Sequence, residues 1–275
     1  MLAFVLNDGL MKILFADWSI YQAIFLRGIL TIPLMLFFAW KTKQLVVKLS
    51  SSDWKLIVIR TASEVGAAIF FLSALAHMPL ANVTAILQVL PLAVTMGAAI
   101  FLRESVNWRR WLAIFVGFIG VMIIVRPGME GFSVYSISAL CAVACVTVRD
   151  LTTSRLSSKT PSMFVALITG IAMTVLGAVM LPTITWEPIY KSHWLILAIS
   201  AIAIIFGYLF SVMAMRYGDA SFIAPFRYTA MLWAIIIGIL LFNDWPDQLT
   251  LMGTTIIVAT GIYSFYREKL QRVAS

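Results

Sequence analysis

Apolar runs of about 18 residues or more recur along nearly the whole chain, and a run of that length is what a helix needs to cross a bilayer. Candidate spans run over 1–15, 20–40, 55–77, 80–102, 109–127, 134–156, 162–182, 193–216, 220–242 and 249–267. Composition agrees: 62% of the 275 residues are hydrophobic and 12% charged, whereas a water-soluble domain is roughly 45–50% apolar and about 25% charged. The expected fold is therefore an all-α integral membrane protein of ten transmembrane helices. The first span is short and starts at Met1, which suggests a longer native helix. A cleaved signal peptide fits less well, because Asp8 and Lys12 interrupt the run and no small-residue cleavage site follows.

Charge placement orients the spans. Of the 20 Lys and Arg, Lys41, Lys43, Lys48, Lys55, Arg103, Arg109, Arg110, Arg155, Lys159, Arg216, Arg267, Lys269 and Arg272 fall in even-numbered connections and the C-terminal segment. Only Arg126 and Lys191 fall in odd-numbered ones. The positive-inside rule then puts both termini in the cytoplasm, with the inner membrane of a bacterium as the expected location. Trp18, Trp40, Trp54, Trp108, Trp111, Trp186, Trp194 and Trp245 flank span ends, where indole prefers to lie. Trp233 alone falls within a span, which makes it a candidate for lining an interior. The basic pI near 9.7 thus reflects orientation signals and points to no nucleic-acid partner.

Catalytic patterns are missing. His77 and His193 lie near the outer face without ligand-spaced partners, so no metal site is expected. Cys141 and Cys145, four apart on one helical face, suit a packing seam better than a disulfide. There is no phosphate-cradling glycine loop, and no cofactor is implied. A membrane-embedded enzyme would need a cluster of nucleophile, base or metal ligands. A receptor using a Schiff base would need a lysine within the later helices. Neither is present in the sequence.

A charge at a helix centre costs about 2.5–3.5 kcal/mol on insertion scales, so intramembrane ionic residues are functional candidates. They are Asp8, Lys12, Arg27, Arg60, Glu64, Arg149, Asp150 and Arg227. The four arginines lie within snorkelling reach of a span end, whereas Glu64 is deeper. Arg60 and Glu64 are four residues apart on one face, as are Asp8 and Lys12, so intrahelical pairs are one reading and a shared pocket the other. The five cations outnumber the three anions by two, which favours an anionic or carboxylate-bearing ligand that guanidinium groups can hold bidentately. Glu64, Asp8 and Asp150 are candidates for proton coupling. Pro33, Pro91 and Pro225 fall within spans, where each frees a carbonyl and allows a kink or hinge. Tyr228 beside Arg227, and Gln88 at a comparable depth in the first half, are further candidate ligand contacts.

A shift of 141 positions matches Ala93 with Ala234, Gly97 with Gly238, Phe101 with Phe242 and Gly120 with Gly261. A unit of five helices is odd-numbered, so a second copy must enter the membrane from the opposite side. Such inverted repeats are the plan of many secondary transporters, with substrate bound near the midplane.

Ala74 to Ala81 (ALAHMPLA), Arg103 to Gly128 (RESVNWRRWLAIFVGFIGVMIIVRPG) and Ala214 to Asp247 (AMRYGDASFIAPFRYTAMLWAIIIGILLFNDWPD) resemble the EamA-type transporters of the drug/metabolite transporter superfamily. The resemblance covers essentially the whole chain. It implies two inverted five-helix EamA repeats, 1–130 and 131–275, with alternating access to a central cavity. The family usually closes its fourth and ninth helices with Gly-Glu, where this chain has Arg103-Glu104 and Asn243-Asp244, so these positions read as span ends. The short first helix also departs from the pattern.

The expectation is a secondary carrier, monomer or homodimer, that moves a small carboxylate-bearing metabolite. Arg27, Arg60, Arg149 and Arg227 would bind it, with Glu64, Gln88, Asp150, Tyr228 and Trp233 around them. Export of amino acids or drug-like compounds is the alternative.

Overall fold

The computed structural model describes residues 1–42, 44, 49–103, 107–127, 133–157, 160–217 and 227–274, with side chains omitted at 208, 209, 211–217 and 267–274. Among the described residues the chain is helical with no strand: α1 (Leu2–Asp17), α2 (Ile20–Lys41), α3 (Ser51–His77), α4 (Leu80–Leu87), α5 (Leu90–Phe101), α6 (Trp108–Val125), α7 (Val134–Ser154), α8 (Ser162–Met180), α9 (Lys191–Tyr217), α10 (Thr229–Phe242) and α11 (Gln248–Ala274). Seven of the resulting segments are long and apolar enough to cross a membrane: α2, α3, the α4–α5 pair, α6, α7, α8 with its closing turn, and α11 up to Tyr266. α10, and α9 as far as Gly207, are apolar but shorter. α1 has 16 residues. The spans read from the sequence recur as helices among the described residues, seven of them with the length and apolarity that a bilayer crossing requires.

Helix starts follow the local chemistry. Ser19, Ser50, Asn107 and Ser133 each accept a backbone N–H from the first turn of the helix that follows, which satisfies one of its orphan donors. Pro91 explains the break between α4 and α5. It lacks the N–H that would bond Leu87 and clashes with that carbonyl, so the chain turns at Gln88 and Val89. Pro33, by contrast, sits inside α2 without ending it. Pro225 lies outside the described residues, as do Glu104 and Gly128.

Two apolar clusters form the core. One joins α4, α5, α6, α7, α10 and α11 through residues such as Ile86, Leu92, Val121 and Ile257. The other joins α1, α2, α3, α8, α9 and α10 through Met11, Leu14, Ile24, Leu75 and Leu197. The remaining apolar side chains face outward: Leu240, Phe101 and Val179 are 75%, 74% and 66% exposed. A shell of that kind is unfavourable in water and suits lipid tails. The most extensive helix pairings are α3 with α7, α6 with α11, α2 with α8 and α1 with α9. The α6–α11 crossing is tight, because Gly120 and Gly253 meet backbone to backbone: a Cβ added to Gly253 would lie 2.5 Å from the Gly120 carbonyl oxygen.

Arg103 and Asn243, the two residues at positions where the resembled family carries glycine, both have left-handed backbone, φ 56° and 53°. The bend that glycine serves is kept without the glycine. An L-residue in that region costs about 1–2 kcal/mol, with Asn at the low end. Arg103→Gly should therefore raise the melting temperature of the purified protein, and Asn243→Gly should raise it by less. A drop in both would mean that the side chains do more at these corners than the strain costs.

Candidate substrate site

Four of the predicted site residues form one chain of charge. Arg149 on α7 donates from Nη1 to both carboxylate oxygens of Glu64 on α3, at 3.2 and 3.0 Å. Its Nε donates to Asp150 Oδ1 at 2.9 Å. The second oxygen of Asp150 lies 3.6 Å from Nη2 of Arg227, at the entry to α10. These side chains are between 15% and 31% exposed, so they are partly shielded yet reachable. Glu64 is thirteen residues into α3, about 20 Å along a helix of about 40 Å. The site therefore begins near the middle of α3 and reaches toward the end of α7.

Arg60, one turn before Glu64, crosses to two other helices. Its Nε donates to Thr153 Oγ1 on α7 at 3.0 Å and its Nη1 to Thr169 Oγ1 on α8 at 2.7 Å. Arg27 belongs to a second polar cluster. Asn7 Oδ1 on α1 accepts from Arg27 Nη1 on α2 at 2.9 Å and from Ser200 Oγ on α9 at 2.8 Å, while Asn7 Nδ2 donates to Asp8 at 3.0 Å. Arg27, Arg60 and Arg149 thus each bond between helices, and Arg227 lies within ion-pair distance of α7, although their depth alone would have allowed them to snorkel to the interface.

Lys12 does not form the intrahelical arrangement suggested by its spacing from Asp8. Its ammonium donates to the Met78 carbonyl at the end of α3, lies 3.8 Å from Asp244, and stands 5.1 Å from the centre of the Phe242 ring. A free carbonyl and an acid on a neighbouring corner outbid a carboxylate one turn away, which itself bonds Asn7. Asp247, three residues on, pairs with Arg126 at the end of α6. The connection between α10 and α11 is thereby fastened to α1 on one side and to α6 on the other.

Burial pushes the Asp247 carboxyl up, but hydrogen bonds from Arg126 and Thr250 outweigh it and hold the group below the usual carboxylate range. A depressed folded value means that the contribution is present above the unfolded pKa, about 3.9, and is lost as pH falls through the folded one. The melting-temperature gap between the parent and Asp247→Asn should therefore exist at neutral pH, start to close below about 4 and vanish once the pH has fallen through the lowered folded value. It should be small, since Asp247 is 48% exposed. A gap that widens on acidification would reverse the assignment.

The remaining candidates lie on α4 and α10. Gln88, at the break between α4 and α5, donates from Nε2 to the Tyr228 carbonyl at 3.2 Å. Tyr228 is buried, and its hydroxyl, which has no hydrogen-bond partner among the described residues, is pressed onto Gly261 of α11. There is no room for a Cβ at Gly261. Trp233 is half-buried and packs against the cluster shared by α1, α3 and α10. Asn7, Thr153, Thr169, Ser200 and Asp244 were not expected from the sequence. The first four are uncharged and blend into apolar runs, and Asp244 lies in a connection.

Similar proteins agree on the kind of activity. A transporter described as an S-adenosylmethionine uptake transporter from Rickettsia conorii is 28% identical over 199 residues, 70% of this chain and 65% of its own length. The chain thus spans about two thirds of that relative. A riboflavin transporter of Brucella anthropi is 26% identical over 263 residues, 91% of this chain and 88% of its own. The pseudopaline exporter CntI of Pseudomonas aeruginosa is 26% identical over 227 residues, covering 80% of this chain and 78% of that one. A solved crystal structure shares the fold, with a TM-score of 0.65 at 18% identity, over 100% of this chain and 98% of the other. The EamA-like transporter family matches residues 1–126 and again 134–266. Polar groups bonded between helices whose outer surface is apolar fit what that double match shows: the chain is a multi-pass membrane protein and belongs to the EamA-like transporter family.

Proposed function

We propose that the protein is a secondary transporter of the bacterial inner membrane, built as ten transmembrane helices in two inverted five-helix repeats, with both termini in the cytoplasm. Residues 1–130 and 131–275 form the repeats. The helix pairings support this arrangement. If α4 and α5 count as one segment, replacing each of the first five segments by its counterpart in the second half turns the α1–α9 pairing into α7–α3, and leaves α2–α8 and α6–α11 unchanged. The two polar clusters obey the same exchange. One draws on α1, α2 and α9, and the other on the corresponding α7, α8 and α3.

The substrate is a small carboxylate-bearing metabolite, bound where Glu64, Arg149, Asp150 and Arg227 meet, and moved by alternating access as the repeats rock. The observation carrying this reading is that chain of four charges, which links three helical elements inside a lipid-facing bundle. Arg60, one turn before Glu64, and Arg27, in the second polar cluster, supply further cations, Gln88, Tyr228 and Trp233 are further ligand contacts, and Glu64, Asp150 and Asp8 are the groups that pair with the arginines or take up a proton. S-adenosylmethionine and pseudopaline, named for two relatives, suit an ionic site. Riboflavin, named for a third, keeps the export or import of larger drug-like compounds as a second reading.

In vesicles loaded with a metabolite shown to stabilise the purified protein against heat, Arg227→Ala and Glu64→Ala should each abolish flux while the protein stays monodisperse. Unchanged flux in both would remove the proposed site.

A further inference from the structure

Unlike α2, α3, α6 and α7, the helix α10 starts without a capping side chain: Tyr228, the residue before its first turn, makes no side-chain cap. A start of that kind needs restraint from elsewhere in the fold, and Tyr228 receives it twice. Gln88 reaches over from the break between α4 and α5 and donates from Nε2 to the Tyr228 carbonyl at 3.2 Å. The Tyr228 ring is wedged against Gly261 of α11, where a Cβ would lie 2.5 Å from Cζ. Both residues are buried, Gln88 being 4% and Tyr228 5% exposed.

Arg227 immediately precedes Tyr228. Its guanidinium is the loosest member of the charged site, 3.6 Å from Asp150 and 31% exposed, and a half-shielded pair at that distance does little to fix a long side chain. Its place is set instead through its backbone, one peptide away from the doubly held Tyr228. We infer that Gln88 is a positioning residue for Arg227, holding the entry to α10 through the Tyr228 carbonyl so that the guanidinium stays opposite Asp150. This duty is separate from any contact of Gln88 with the ligand, and it rests on the carrier reading only for its consequence in transport.

The repeat gives this bond a particular place. The shift of 141 positions carries Gln88 onto Thr229, whose nitrogen shares a peptide with the Tyr228 carbonyl. The bond thus joins near-equivalent positions of the two proposed repeats and lies close to the axis that exchanges them. Halves that rock about a fixed site move least there, so the hold on Arg227 persists as access alternates.

The deciding test needs no ligand. The full chain in lipid nanodiscs is treated with phenylglyoxal, a small reagent that modifies guanidinium groups, and the rate at each arginine is read by peptide mass spectrometry. Gln88→Met keeps the length of the side chain but has no donor. In that variant Arg227 should be labelled about fivefold faster than in the parent, the change in population that one lost hydrogen bond brings. Arg149, held by Glu64 and Asp150, should keep its rate. Gly261→Ala, which drives the ring from its seat and leaves Gln88 in place, should act as selectively and serves if Gln88→Met does not fold. An unchanged rate at Arg227, or an equal rise at Arg149 from general loosening, would overturn the inference. The same preparations are then titrated with S-adenosylmethionine and with malate, reading thermal stabilisation. A probe that stabilises the parent should be needed at about fivefold higher concentration in Gln88→Met. Selective labelling with unweakened binding would leave the positioning standing and take Arg227 out of the ligand site. If neither probe stabilises the parent, labelling alone decides the inference, and the flux assay judges the carrier.

Discussion

Arg149→Ala should be the most damaging single substitution in the protein, lowering flux at least ~100-fold and destabilising the fold as well. Arg149 is the hub of the charged site. It holds Glu64 of α3 through both oxygens and Asp150 through a third bond. Truncation leaves two carboxylates facing each other without the guanidinium between them. Removing one partner of a buried ion pair costs about 3–5 kcal/mol. With these side chains 15–22% exposed, the stability loss should fall at or below the lower end of that range. Arg149→Lys separates charge from geometry, since a point ammonium cannot hold two carboxylates with a planar fork. It should keep most of the stability and lose most of the flux. Melting temperature and flux measured on the same nanodisc and vesicle preparations check both. An alanine variant that melts and transports like the parent would mean that the four charges are not a site.

Gly253→Leu should have the second largest effect, and it acts on folding. At Gly253 an added Cβ meets the carbonyl oxygen of Gly120 at 2.5 Å and Ile124 Cγ1 at 2.6 Å; at Gly120 it meets the Gly253 carbonyl oxygen at 2.8 Å. Backbone cannot swing aside as a side chain can, so α6 and α11 must separate. Overpacking of this kind costs about 1–3 kcal/mol, and more where nothing yields. The loss extends beyond the clash, because small residues are what let lipid-facing helices touch at all. The variant should show a clearly lower melting temperature and a reduced yield of monodisperse protein. Gly253→Ala should be milder, and a Leu variant as stable as the parent would show that the crossing is looser than described.

Hydropathy was sufficient to place the helices, because length and apolarity are local properties. The starts at Leu80, Val134 and Ser162 fall at or within a residue or two of the spans read from the sequence. The break at Gln88 was half legible: Pro91 announced a kink, but where the chain would turn depended on which carbonyl the ring displaced. Partner choice was not legible. The spacing of Asp8 and Lys12 suggested a pair within one helix, yet Lys12 reaches Met78 and Asp244, residues far off in sequence that only packing brings near. Glu64 was marked by its depth, but nothing local could say that its bidentate partner would come from α7. Asn7 and Ser200 carry no charge, so their cost to a hydrophobic run is small and they escape notice until Arg27 is seen between the helices that hold them. The left-handed corners at Arg103 and Asn243 were not read from the sequence, which marked those positions only as span ends.

The short link from Asn243 to Asp247 is fastened twice, to α1 through Lys12 and to α6 through Arg126. A link tied at both ends cannot swing free like a door. For that end of the bundle to part, either two ionic contacts must be surrendered together or α1 and α6 must travel with it as one body, so the step should be all-or-none and should grow easier in high salt.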